Sequence, residues 1–140
     1  MTVSRWFNSI WASGGIGTGV ALVVALSIYA AARLVGDPLA VASQPGGDDY
    51  RQLPVGAVVI VTIVAGLVAI GVAWLSKQTP VPLTVFLAVV VIGFLFMLYP
   101  PISSAEVPST TAWLIAMHAG VAVQIIGALS AHILRTTPAE

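Results

Sequence analysis

The chain has no cysteine, which excludes disulfide bonds, thiolate nucleophiles and cysteine-ligated metal centres. Charge is also scarce. Only 7% of the 140 residues are charged, against about 25% in soluble domains, and five basic residues balance five acidic ones. A neutral chain has no long-range field that would attract nucleic acid. We therefore expect no nucleic-acid partner, and nothing in the composition predicts a cofactor.

What the chain has instead is hydrophobic residues, which make up 59% of it. They form four runs, at about 15–34, 55–75, 82–99 and 111–134, and each approaches the ~20 residues that a helix needs to cross a bilayer. A backbone in lipid must satisfy its own hydrogen bonds, so long continuous runs predict helices even where β-branched residues are frequent. The sequence predicts an all-α membrane protein, a single domain over residues 1–140 with four transmembrane helices in an antiparallel bundle.

The connections between the runs carry turn-forming residues. Between the first two runs, the short segments 39–44 and 49–53 flank Pro-Gly-Gly-Asp, which predicts a short β-hairpin in the first extracytoplasmic loop. Because an isolated hairpin is only marginally stable in water, it must rest on the helix ends or on the third loop. The short connection 76–82 predicts that the second and third helices are antiparallel neighbours.

The orientation in the membrane follows from the basic residues near the helix ends. Arg5, Lys77 and Arg135 lie on the side of the two termini, whereas Arg33 and Arg51 lie on the opposite side. The excess of positive charge predicts a multi-pass protein of the plasma membrane with both termini in the cytoplasm. The first helix is expected to be retained rather than cleaved as a signal peptide. Aromatic residues are predicted at both membrane interfaces: Trp6, Trp11 and Trp74 on the side of the termini, and Tyr99 and Trp113 on the other.

Small residues at helical spacing predict close contacts between helices, because lipid removes the hydrophobic drive that joins helices in water. Gly15 and Gly19 open the first run with a GxxxG step. On the fourth run Gly120, Gln124 and Gly127 continue a stripe of small residues, with Gln124 as the hydrogen-bonding member. Either these stripes close the chain's own bundle, or one of them binds a partner subunit or a second copy.

His118 is the residue that most suggests a site. An ionisable side chain inside a membrane span is a functional hypothesis by default. Thr111 lies seven residues earlier on the same face, and Glu106 lies in the loop before it, so the three together predict a ligand site open to the outer leaflet. The plainer alternative is a structural imidazole, hydrogen-bonded to a backbone carbonyl or to a Ser or Thr of a neighbouring helix.

The remaining polar residues predict no chemistry. His132 is expected to be solvated at the membrane interface, and Arg33 is expected to reach towards water and pair with Asp37. Asp48, Asp49 and Glu106 offer oxygen ligands for a hard cation, but their spacing is not that of a known ion-binding loop, so no metal site is predicted. No catalytic triad, carboxylate pair or phosphate-binding loop is present, and we predict no catalytic residues.

The layout resembles a family of small four-helix membrane proteins from actinobacteria that is known only as a domain of unknown function. The resemblance lies in three segments: ARLVGDPLAV at 32–41, LPVGAVVIVTIVAGLVA at 53–69 and TAWLIAMHAGVAVQIIGAL at 111–129. It extends over residues 22–129 and implies a Thr and a His on the last helix, here Thr110 or Thr111 and His118. The family implies no activity.

These observations favour a non-catalytic accessory or partner-binding membrane subunit, with the lipid bilayer itself as the first partner. The alternative is a small membrane enzyme or a binder of a lipophilic ligand, such as a lipid or quinone, with a pocket near His118. The third hypothesis is a channel or transporter. It would have to be oligomeric, because one chain has too few polar residues to line a water-filled pore.

Overall fold

The computed structural model describes residues 3–44 and 47–136, with side chains described from Ile10 onward. The order of elements is α1 (Val3–Leu34), β1 (Ala40–Ala42), β2 (Tyr50–Gln52), α2 (Val55–Ser76), α3 (Pro82–Met97), α4 (Tyr99–Ser104) and α5 (Pro108–Thr136). The side chains of Arg5 and Trp6, and the turn residues Pro45 and Gly46, lie outside the described residues.

Four stretches of the described chain are long and apolar enough to cross a membrane, as predicted: Ile10–Leu34, Val55–Ser76, Pro82–Ser104 and Pro108–Thr136. Their outer faces are covered with exposed apolar side chains such as Phe96, which is 74% exposed. Such a surface is stable only in lipid. The chain is therefore a multi-pass membrane protein.

Two helix boundaries differ from the prediction. The first helix begins at Val3 rather than near residue 15, because Gly14 and Gly15 continue the helix instead of breaking it. Gly14 is buried against the side chain of Ile70, and this contact offsets the low helix propensity of glycine. The third span was predicted to end near residue 99, but it continues to Ser104. Pro100 and Pro101 lie in the first turn of α4, where the N–H group that proline lacks would have no partner within the helix.

The predicted hairpin is present and rests on the third loop. β1 and β2 pair antiparallel, with Val41 opposite Arg51. The other edge of β1 is occupied by Ala105, which forms a bridge with Val41, and the Glu106 N–H donates to the Ala40 carbonyl at 3.1 Å. We call this end of the bundle the hairpin end. The opposite end, where α1 begins, α5 ends and α2 turns into α3, is the termini end.

The last helix is central to the bundle. α5 contacts α1, α2, α3 and α4, and the most extensive helix–helix interface in the described chain is that between α1 and α5. α2 and α3 are also in contact, as their short connection predicts. One apolar core lies in the half of the bundle nearer the termini and includes Ile10, Ile70, Phe86, Leu129 and Ile133. A second core at the hairpin end is built around Ala32, Leu39, Leu114 and Met117.

Candidate functional site

The three residues predicted to form a ligand site lie on α5, which carries Thr111 and His118, and in the loop before it, which carries Glu106. His118 is half-buried, and its Nδ1 lies 2.8 Å from the carbonyl oxygen of Leu114, one turn earlier on α5. A carbonyl only accepts, so Nδ1 carries the proton in this contact. Thr111 is half-buried and Glu106 is exposed. Within residues 3–44 and 47–136 no hydrogen bond joins any two of these three side chains, and His118 bonds within its own helix rather than across the bundle.

The predicted packing residues of α5 are divided between two environments. A Cβ at Gly120 would lie 2.9 Å from Cγ1 of Val24, so this glycine allows α1 and α5 to approach closely. The backbone carbonyl oxygen of Gln124 faces Gly17 of α1 across the same interface. Gly127, in contrast, is exposed, and a Cβ there would meet no described atom within 4 Å.

On α1 the glycines that contact the bundle are not the predicted pair. Gly15 and Gly19 are exposed, and a Cβ at either would meet no described atom within 4 Å. The intramolecular contacts are made instead by Gly14 and Gly17, both buried. A Cβ at Gly17 would lie 2.7 Å from the Cβ of Ala128 on α5. The helix therefore presents one glycine-bearing face to its own bundle and another to its surroundings.

Asp37 forms a buried polar cluster at the hairpin end. The side chain was expected to pair with Arg33, but it is only 7% exposed and turns inward. Its Oδ1 accepts a hydrogen bond of 2.6 Å from the Thr110 hydroxyl and one of 2.8 Å from the Leu39 N–H. Arg33 donates to the carbonyl oxygen of Pro38 at 3.1 Å instead. Because Thr110 lies in the first turn of α5, the carboxylate sits where the helix dipole is positive.

The charge of Asp37 is stabilised by its surroundings. Burial raises the pKa of this carboxyl, but hydrogen bonds from Ser109, Thr110 and the Leu39 N–H, together with the positive charge of Arg33, outweigh burial and lower the pKa. Hydrogen bonds to an ionised acceptor are about twice as strong as neutral ones. Asp37 is therefore a fixed anion that ties the end of α1 to the start of α5.

The backbone around Asp37 explains how it turns inward. Gly36, two residues after the end of α1, adopts φ +85°. The Asp37 N–H donates to the Ala32 carbonyl, and the Gly36 N–H donates to the Arg33 carbonyl. These bonds are the Schellman pattern, which reverses the chain after a helix. Leu39 then adopts φ +47°, a left-handed conformation that costs a non-glycine residue about 1–2 kcal/mol. Its complete burial and its N–H bond to Asp37 hold it there.

A second polar cluster lies at the termini end and contradicts the expectation for His132. This side chain is 5% exposed rather than solvated, and its Nδ1 lies 3.3 Å from the hydroxyl of Ser13 on α1. Lys77, at the end of α2, donates to the hydroxyl of Thr136 on α5. Burial lowers the pKa of the half-buried Lys77. His132 is buried because α1 extends past Gly14 and covers the end of α5.

A shallow apolar cleft lies beside this cluster. It has a volume of about 160 Å³ and is lined by Trp11 of α1 and by Ile70, Gly71 and Trp74 of α2. The two indole side chains are 40% and 41% exposed. A Cβ at Gly71 would meet no described atom within 4 Å, so the glycine leaves the floor of the cleft open.

The acidic residues at the hairpin end do not converge. Asp49 forms an exposed salt bridge of 3.0 Å with Arg51. In the part of the chain that the structure describes, no three His, Asp or Glu side chains come close enough together to hold a metal ion.

The sequence was compared with protein-family models, curated proteins and solved structures. One family model, described as a family of unknown function (DUF6069), matches residues 7–135. The chain belongs to this family. No curated protein and no solved structure matches it. Membership in DUF6069 confirms the resemblance seen in the sequence and assigns no activity.

Two residue pairs that join the first helix or the turn after it to α5, Asp37–Thr110 and Ser13–His132, were not predicted from the sequence. The signal for the first was the Gly-Asp-Pro step directly after a helix, which indicates a tight reversal that can aim a carboxylate inward. For the second there was no local signal, because Ser13 lay outside the predicted first helix.

Proposed function

We propose that this member of DUF6069 is a non-catalytic membrane subunit that binds another membrane-embedded chain through the exposed glycine face of α1. One observation carries the proposal. Gly15 and Gly19 lie four residues apart on an exposed face, and no described side chain approaches either. Glycine inside a helix costs about 1 kcal/mol relative to alanine, and among the described residues no contact at these two positions offsets that cost.

The side chains around these glycines support helix association. Ile16 and Val20 follow Gly15 and Gly19 directly and are 69% and 44% exposed. β-branched side chains have one strongly preferred rotamer in a helix, so they lose little entropy on contact with a partner. Two glycines at this spacing allow the backbones of two membrane helices to approach closely. The partner is a transmembrane helix, either of a second copy or of another protein.

Photo-crosslinking in the native membrane tests this function. A photo-reactive residue at position 16 is expected to form an adduct with a protein, and Gly19→Leu is expected to abolish that adduct because the larger side chain separates the helices. Gly93→Leu on α3 is the matched control, since Gly93 is equally exposed with no described atom within 4 Å of its Cβ position. The mass of the adduct distinguishes a second copy from another chain.

The proposal fails if position 16 reacts only with lipid, or if Gly19→Leu and Gly93→Leu behave alike. Turnover of a substrate by the purified, monomeric chain would also contradict a non-catalytic role.

A further inference from the structure

We infer that the cleft between Trp11 and Trp74 binds an acyl chain of an anionic phospholipid, whose phosphate lies against Lys77 at the termini end. The residues that line this lipid site do not include Gly15 or Gly19, at which the protein contact is proposed.

The shape and lining of the cleft suit an acyl chain. Its four lining residues present only apolar surface, and Gly71 leaves a gap of about 160 Å³ between two bulky indoles. The cleft lies on the lipid-facing side of α1 and α2, near the end of both membrane spans. Tryptophan is enriched at this depth because its ring is apolar while its N–H reaches the headgroup region.

Lys77 is in the right place for a headgroup. It follows Trp74 by three residues, so it lies about 4.5 Å further along the helix axis, on a neighbouring part of the same face. A lipid whose chain packs beside Trp74 therefore has its phosphate near the level of Lys77. The Lys77 side chain donates to Thr136, which brings the end of α5 to the same place.

The charge distribution selects an anionic lipid over a zwitterionic one. Three of the five basic residues belong to the termini end, namely Arg5, Lys77 and Arg135. Four of the five acidic residues belong to the hairpin end, namely Asp37, Asp48, Asp49 and Glu106. Basic residues at a membrane surface attract anionic lipids. Burial also lowers the pKa of Lys77, and a phosphate beside it would offset that effect.

Native mass spectrometry of the full chain in detergent, titrated with phosphatidylglycerol or phosphatidylcholine, tests the site. The expected result is about fivefold tighter retention of phosphatidylglycerol, the ratio that one basic contact supplies. Lys77→Gln should bring the two lipids to equal affinity. Arg51→Gln removes the same charge from the hairpin end and should leave the preference unchanged.

Gly71→Leu tests the cleft itself, because a Cβ at Gly71 would meet no described atom within 4 Å and the larger side chain occupies the gap. It should weaken both lipids, whereas Gly93→Leu should weaken neither. Trp fluorescence quenching by phospholipids brominated on the acyl chain, with the unsubstituted chain in nanodiscs, gives a second readout. Brominated phosphatidylglycerol should quench more than brominated phosphatidylcholine at equal content.

Three results would overturn the inference. Equal retention of the two lipids by the unsubstituted chain would show that charge plays no part. Unchanged binding in Gly71→Leu would show that the cleft is not the site. A photo-reactive residue at position 74 that attaches to a protein rather than to lipid would show that a helix occupies the cleft. The adduct at position 16 tests the protein contact separately, because Ile16 does not line the cleft.

Discussion

The hydroxyl of Thr110 donates a 2.6 Å hydrogen bond to Asp37 across 73 residues of chain, and this buried contact joins the end of the first helix to the start of the last. Because this buried bond links two distant parts of the chain, its removal should be measurable as a loss of stability.

Thr110→Val is expected to lower the free energy of unfolding by about 1.5–3 kcal/mol, because it removes a hydrogen bond to a buried charge. Thr111→Val is the matched control. Thr111 is half-buried, and no hydrogen bond of its side chain is present in the described structure, so its effect should stay within about 0.5 kcal/mol. Unfolding by SDS in mixed micelles measures both variants. Equal losses would contradict the assignment.

The stability that Asp37 contributes should depend on pH. Because its pKa is lowered in the folded chain, the contribution is fully present above the unfolded pKa of about 3.9 and is lost as pH falls through the folded pKa. Unfolding free energies measured from pH 7 to pH 3 should fall towards the acid end in the unsubstituted chain. Asp37→Asn should be less stable at pH 7 and should show a flatter profile over this range. Parallel profiles would show that Asp37 is not the titrating group.

Gly66→Ala should destabilise the contact between α1 and α2. The added Cβ would overlap the side chain of Thr18 and lie 2.9 Å from its Cβ, which cannot move without the helix. Overpacking of this kind costs about 1–3 kcal/mol. Gly71→Ala on the same helix meets no described atom within 4 Å and should be neutral or slightly stabilising. The thermal midpoints of the two variants in one detergent give the comparison, and a stable Gly66→Ala would be the contrary result.

Replacing His132 should lower the free energy of unfolding more than replacing His118, although the sequence predicted that His132 is solvated. His132→Ala removes a buried ring that contacts Ser13 on another helix and should cost about 2–3 kcal/mol. His118→Ala removes a half-buried ring that bonds within its own helix and should cost at most about 1 kcal/mol. The same SDS assay tests both, with circular dichroism to verify folding. A larger loss from His118→Ala would reverse this ranking and renew interest in a role for that residue.

The membrane spans and the hairpin were predictable because they depend on local patterns. Apolar runs of sufficient length determine the spans, and the turn-forming Pro-Gly-Gly-Asp between two short segments determines the hairpin. The positions of individual residues depended on neighbours that a sequence does not place. Gly-Gly-Ile-Gly-Thr-Gly offers several small-residue pairs, and only the packing of α1 against α5 and α2 selects Gly14 and Gly17 for the bundle.

The buried polar residues were mispredicted for a related reason. The Gly-Asp-Pro turn reverses the chain after α1, but only the approach of α5 encloses the carboxylate of Asp37. His132 lies near a helix end, which favours exposure, but it is buried and its ring contacts Ser13 of α1, which lies before the predicted start of that helix. In both cases the enclosing surface comes from the other end of the chain.

The large interface between α1 and α5 also constrains how the protein is made. α1 and α2 can insert and pair as soon as they are synthesised, because they are consecutive. The last helix supplies the other side of both polar pairs, at Thr110 and at His132. Until it enters the membrane, the carboxylate of Asp37 and the glycine backbone at Gly17 lack the contacts that they make in the finished bundle. Assembly in the bilayer must therefore finish with the final helix, and a truncated chain that ends after α3 should be a substrate for membrane quality control.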